Sequence, residues 1–262
     1  MSVTTEFGTG YPFRIGNVFM RAWEVMSANF VLFFAIAVLI VLPITIVELS
    51  YNPHDKLTPE ALQAGAVTKE WLVGYAWASG LGILAVVLLS TIGYGVCILK
   101  AFQHLSGEHR SLGDNLVQAL LRFFPLLGVT VLFLFGLLAG SLLLIVPGIM
   151  LAVRWGVSTQ VCVIERTGPI ASLRRSAQLT DGNRWPLLGL IFLSMLGGAL
   201  VPALLDLLLT SIGGRVGKVL GGLLIQGVIG GYLNCVSIMA YHELRRAKEG
   251  INNSRAMRAV FE

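Results

Sequence analysis

The sequence predicts an all-α polytopic membrane protein: six transmembrane helices as three hairpins, each preceded by an interfacial amphipathic helix on the cytoplasmic side. Three observations carry this. Hydrophobic residues make up 55% of the 262 positions and charged residues 13%, with a mean hydropathy of +0.78, too apolar to coat a soluble domain of this length. The apolar residues gather into runs of about 20 or more, the length that crosses a hydrocarbon core about 30 Å thick. The basic residues are divided unevenly between the connections, as the positive-inside rule expects.

The first 29 residues are read as an N-terminal interfacial helix. In "FRIGNVFMRAWEVMSANF", Ile15, Phe19, Trp23, Met26 and Phe30 follow helical spacing as an apolar stripe, and Arg14, Asn17, Arg21 and Glu24 form the opposite face. The first long apolar run begins only at Phe30, with no small-residue cleavage site after it, so it reads as a retained span and not as a signal peptide. That span is Phe30 to Leu49, with Pro43 inside it. The second, Leu72 to Leu99, is rich in glycine. The stretch from Phe123 to Glu165 would reach about 65 Å as one helix, twice the core. Val146-Pro147-Gly148 supplies a break, giving span three from Phe124 to Val146 and span four from Pro147 to Glu165. Spans five and six are Pro186 to Ile212 and Lys218 to Tyr241, closing a membrane domain over 30–241 and leaving 242–262 as a cytoplasmic tail.

With six spans, fourteen Lys and Arg fall on the side of both termini and the 100–122 and 166–184 loops. Only Lys56, Lys69, Arg215 and Lys218 fall on the other, and Arg154 completes the nineteen. The asymmetry places both termini in the cytoplasm. The net charge of +5 then suits anionic lipid headgroups on that face better than nucleic acid.

The amphipathic pattern recurs. "SLGDNLVQALLRF" sets Leu112, Leu116, Leu120 and Phe123 against Asp114, Gln118 and Arg122, and "PIASLRRSAQLTDGNRW" is a weaker third copy. Each copy precedes two spans, which reads as three units of interfacial helix plus hairpin. Small residues recur at four-residue steps, at Gly74-Ala78-Gly82, Gly136-Gly140, Gly217-Gly221 and Gly227-Gly231, a spacing that allows close helix packing within the chain.

Pro147-Gly148, Arg154, Val163-Ile164-Glu165, Gly168, Ala171, Leu173, Arg175-Ser176 and Leu179, with the tail residues Tyr241, Leu244-Arg245 and Lys248-Glu249-Gly250, resemble the membrane domain of the glycerophosphoryl diester phosphodiesterase family. His242-Glu243 departs from that family's ending, which usually has an acidic residue there. The resemblance implies a six-span, all-helical domain of a prokaryotic inner membrane. It does not imply the phosphodiesterase reaction, which in fused members belongs to a separate soluble domain not seen in this sequence.

No catalytic constellation emerges. His104 and His109 in "HLSGEH" lie about 140° apart around a helix and cannot share a metal. "GGRVGKV" at 213–219 is one residue short of a phosphate loop and has Val219 where Ser or Thr is required; it reads as a turn. Cys97, Cys162 and Cys235 read as packing residues. No cofactor or metal is expected, and the chain is not expected to be an enzyme. It is expected to be a lipid-binding or membrane-organising module, with membrane lipids and a protein partner or a second copy as its company. The alternative is a small transporter or channel for an anionic or lipid-derived solute, suggested by intramembrane polar residues at Arg154, Asp206, Gln226 and Asn234 and by Pro43, Pro147 and Pro202.

The candidate binding residues are Arg154, Asp206, Arg174, Arg175 and Arg184. Arg174, Arg175 and Arg184 are expected at the inner headgroup layer. Arg154 lies inside an apolar run with no acid within ten positions. Counted from Pro147 it sits about 10 Å below the outer surface, and Asp206, counted from Ile212, about 9 Å. Equal depth predicts a bidentate guanidinium–carboxylate pair, with Glu48 as second candidate.

Overall fold

The computed structural model describes residues 13–51, 53–60, 65, 67–108 and 110–249, without the side chains at 54, 55, 143, 145, 206 and 209–218. These residues form ten helices and no strand: α1 (Ile15–Ala28), α2 (Phe30–Tyr51), α3 (Pro53–Lys56), α4 (Lys69–Ser106), α5 (Leu112–Leu121), α6 (Phe123–Leu143), α7 (Ile145–Trp155), α8 (Ser158–Ile164), α9 (Pro169–Thr180) and α10 (Arg184–Glu249). Six segments are long and apolar enough to cross a membrane: Phe30–Tyr51, Lys69–Ser106, Phe123–Leu142, Val146–Ile164, Arg184–Leu205 and Val219–Glu249. The chain is an all-α polytopic membrane protein.

Glycines set the helix contacts. Gly74 faces Tyr51, Gly82 faces Val47 and Ile44, and Gly93 faces Ile36 and Ile40, so α4 runs antiparallel to α2. Gly227 and Gly231 take Phe34 and the Phe33 backbone in the same manner. α6 and α7 meet where Gly140 touches Gly148, around a single extended residue, Leu144. The break thus falls three positions before Pro147. Proline sits in the first turn of α7, where its missing N–H costs nothing. Gly148 allows this close approach: a Cβ there would come within 2.6 Å of Ser141 Oγ and 3.2 Å of the Ser141 backbone N.

α10 is helical along all of 184–249, where the sequence suggested a turn at 211–218. It nevertheless folds back. A Cβ on Gly198 would lie 2.9 Å from Leu233 Cδ1, whereas 35 residues of straight helix span about 52 Å. Leu187, Ile191 and Ser194 share a cavity wall with Ala240, Val236 and Leu233, an antiparallel register centred on Gly213-Gly214.

The core is not central. It gathers at the end of the molecule holding α1, the last turns of α4, the start of α6, α8, α9 and the last turns of α10, where Met26, Phe102, Leu126, Ile164, Leu179 and Tyr241 are fully buried. Elsewhere large apolar side chains such as Val31, Trp77, Leu81, Phe135, Leu142 and Phe192 face outward, a surface suited to hydrocarbon. α4 has 38 residues, about 57 Å, so it outruns a 30 Å core and its buried end, Val96 to Phe102, enters the packed layer. Gly107 stops it in the left-handed conformation, its N–H returning to Gln103 O.

The three amphipathic helices occupy different environments. α5 starts with a capping box between Ser111 and Asp114, buries Asn115 and Ala119, and turns Leu112, Leu116 and Leu120 outward, as a lipid-facing stripe requires. Asn115 and Gln103 exchange two buried amide hydrogen bonds of 2.6 and 3.0 Å. α1 buries Val18, Ala22, Val25 and Met26, a face rotated from the expected stripe, and leaves Trp23 and Phe30 exposed. Tyr232 draws the face round by donating to Phe19 O at 3.1 Å and meeting Trp23 edge-on. α9 buries Ser172, Ser176 and Thr180 together with Leu173 and Leu179, and only Ile170 among its large apolar residues is exposed.

Candidate functional site

The hydroxyl edge of α9 has a physical cause. Span four is not one helix: α7 ends at Trp155, and Gly156-Val157 turn before α8. The interruption frees the Arg154 carbonyl from its helical donor. Ser176 Oγ donates to it at 3.0 Å and Thr180 Oγ1 at 3.4 Å. Ser172, one turn earlier, donates to Gly168 O at 2.9 Å and meets Thr167 Oγ1 at 2.8 Å. A broken membrane helix must have its backbone satisfied in this way.

Docking α9 on the break creates a groove of about 660 Å³ along its other face. Ile170, Arg174, Gln178 and Asp181 follow helical spacing along one wall, Leu173 and Ala177 form the buried floor, and Arg154, Trp155 and Arg184 close the sides. Trp155 is held by α6, where its ring lies against Gly136 and leaves no room for a Cβ. Three guanidinium groups therefore line one groove with a single carboxylate. Asp181 pairs with Arg184 at 2.9 Å, in an exposed position where such a pair contributes little. Among the described residues, neither Arg154 nor Arg174 makes a side-chain hydrogen bond or ion pair. Chemically the groove offers planar guanidinium donors for a phosphate or carboxylate beside an aromatic wall.

Of the residues expected from sequence, Arg154, Arg174 and Arg184 come together here. Arg175 does not. It turns to a different side of α9, where its Nε donates to Glu165 Oε2 at 2.9 Å and its Nη2 to Glu249. Tyr241 donates to Glu165 at 3.0 Å, and Arg245 holds Glu249 at 2.9 Å. Arg175 is the centre of a structural clamp between α8, α9 and the end of α10. The side chain of Asp206 lies outside the described residues. Its backbone position is 22 residues beyond Arg184 in α10, and the expected pair with Arg154 rests on a side chain that is not described. The docking of α9 on the end of α7 brings Arg154 into the groove shared with Arg184. Glu48, near the end of α2, is exposed and makes no contact with Arg154 among those described.

The residues that sequence reading missed are Ser176, Thr180 and Trp155. A four-residue Ser/Thr spacing facing a broken helix was the signal for the first two. Among the described residues no three His, Cys, Asp or Glu gather into a possible metal site; His109 lies outside them, and His104 is an exposed residue in the last turn of α4. At the same end of the molecule, burial and the nearby Arg166 push the Arg122 guanidinium below its usual range while it donates to Cys162 O at 3.3 Å. Arg122 thus braces the α8 end and takes no part in the groove.

Fold and groove define a polytopic helical membrane protein with an arginine-lined cleft at its packed end. No family model matches the chain, no curated protein matches it, and no solved structure matches it. None of these comparisons identifies the glycerophosphoryl diester phosphodiesterase family.

Proposed function

We propose that this chain is a non-catalytic module of a prokaryotic inner membrane that binds anionic lipid headgroups in the Arg154–Arg174–Arg184 groove. The single observation that carries the reading is the pair of guanidinium groups, Arg154 and Arg174, that share the groove without a protein partner among the described residues. Exposed and converging on one groove, these cations attract an anionic headgroup. The sidedness follows from the charge bias: the packed end, with the groove, faces the cytoplasm, and both termini lie there.

Native mass spectrometry of protein purified in mild detergent tests the ligand. The wild type should retain phosphatidylglycerol over phosphatidylcholine, and Arg154→Gln/Arg174→Gln/Arg184→Gln should lose about a hundredfold of that preference, at about 1 kcal/mol per basic residue. Equal retention by both proteins would remove the reading. For sidedness, single cysteines at Ser111 and Leu57, both exposed and at opposite ends, should differ toward an impermeant reagent in intact cells, with only position 57 labelled. The native cysteines are buried and should stay silent.

A further inference from the structure

A second cavity, of about 410 Å³, begins one residue beyond the groove. Arg154 and Trp155 line the groove, and Gly156 and Val157 line the cavity. α10 makes the same hand-over. Arg184 lines the groove, and Leu187, Ile191, Met195 and Gly198 line the cavity. At 100° per residue these five positions lie within about 80° of one another on a single face. The face therefore runs from a charged end into an apolar slot about 16 Å long, closed on the far side by Leu233, Val236 and Ala240. Arg184 opens a membrane-spanning segment, so the slot descends from headgroup level into the hydrocarbon. One leaflet is about 15 Å deep, so the slot covers that depth.

We infer that the groove and the slot form one site for a diacyl anionic phospholipid, its phosphate on Arg154, Arg174 and Arg184 and one acyl chain lying against α10 between Leu187 and Gly198. The inference rests on the headgroup reading above and adds the chain. Three features favour hydrocarbon as the occupant. The slot is walled almost wholly by apolar side chains, and apolar cavities do not hold water. An empty slot would forfeit dispersion contacts along its whole length. The charge at its mouth is of the sign that captures a phosphate. Gly198 marks the deep end of the slot: a Cβ there would press on Leu233 Cδ1, so the two halves of α10 touch at that level.

The test uses phosphatidylglycerol carrying a diazirine in the middle of one acyl chain, incorporated at low fraction into phosphatidylcholine proteoliposomes of the full chain. After irradiation, crosslinks are mapped by peptide mass spectrometry. The expected result is enrichment, at least fivefold over the outward faces of α2 and α6, on the peptides holding Leu187–Ala199 and Leu233–Ala240. Enrichment should vanish in Arg154→Gln/Arg174→Gln/Arg184→Gln and fall at least threefold in Ala199→Phe, which narrows the slot from its exposed edge. The same photolipid with a phosphatidylcholine head should show no enrichment. Arginine-dependent retention with crosslinks spread evenly over the lipid-facing helices would overturn the slot and leave the headgroup reading standing. Crosslinks enriched in the slot for both headgroups and indifferent to the arginines would overturn the joint site and the headgroup reading together. The mapping on unmodified protein decides between these outcomes even where a variant folds poorly.

Discussion

The side of α9 that carries Arg175 and the side that carries Arg174 are one residue apart in sequence and about 100° apart around the helix. On the first side, Arg175 binds Glu165 and Glu249, Tyr241 adds a hydrogen bond to Glu165, and Arg245 adds a second cation to Glu249. Every charge there is answered, Arg175 by acids from two other elements, and three helices are tied together. On the second side, Arg174 looks into a groove with two more arginines and one acid already engaged by Arg184. The same residue type thus fixes the fold in one place and awaits a ligand in the other. What separates them is whether an acid from a distant part of the chain is delivered to the same spot. A charge count cannot see that difference.

The largest expected effect tests that division directly. Arg175→Ala leaves two acids facing each other and should lower stability in detergent by about 2–3 kcal/mol, read by thermal unfolding. Arg174→Ala should change stability by no more than about 0.5 kcal/mol. Retention of phosphatidylglycerol should rank the two variants in the opposite order. Equal stability losses would dissolve the distinction.

Next in size is the amide pair that ties α4 to α5 within the same packed end. Gln103→Leu strands the buried Asn115 amide and should cost about 1–2 kcal/mol, whereas Gln103→Leu/Asn115→Leu should cost less than the two single changes summed. Additive losses would mean the pair is not a coupled unit. Smaller again is Ser176→Ala. It removes the shorter of two donors to the Arg154 carbonyl and leaves Thr180 in place, so about 1 kcal/mol is expected. Because that carbonyl fixes where the Arg154 side chain starts, lipid retention should fall as well. A change in stability without a change in retention would separate the break in span four from the groove.

The six spans were legible because bilayer thickness imposes a length on apolar runs that no other arrangement explains. The boundaries inside them were less so. Pro147-Gly148 looked like the break, yet proline is harmless in a first turn, and Leu144, which carries the extended backbone, bears no turn signature. α9 was legible only as a weaker copy of the amphipathic pattern, whereas its buried face also holds Ser176 and Thr180, whose value depends on a free carbonyl 22 residues away at the nearest. Arg174 and Arg184 were legible as headgroup-level cations from the loop they occupy. Arg175 was not separable from them, since its partners stand 10 and 74 positions off. Arg154 was legible as exceptional, but the docking of α9 on its carbonyl, 22 positions away at the nearest, was not.

The smallest effect concerns salt. Arg154, Arg174 and Arg184 are exposed, so their attraction for a headgroup acts through water and is screened over about 8 Å at 0.15 M ionic strength and about 3 Å at 1 M. Arg175, Glu165 and Glu249 are mostly covered and directly bonded, and their contacts lie inside either screening length. Raising salt from about 0.15 to 1 M should therefore cut phosphatidylglycerol retention several-fold while moving the unfolding temperature by no more than a degree or two. The slot sharpens the expectation, because hydrocarbon packing is indifferent to ionic strength: the lipid still retained at high salt should be the long-chain form, and a dihexanoyl analogue should be lost first. Retention that ignores salt would place the headgroup away from these arginines. A fall in unfolding temperature that tracks the loss of lipid would show that the groove, like the Arg175 side, is part of what holds the fold together.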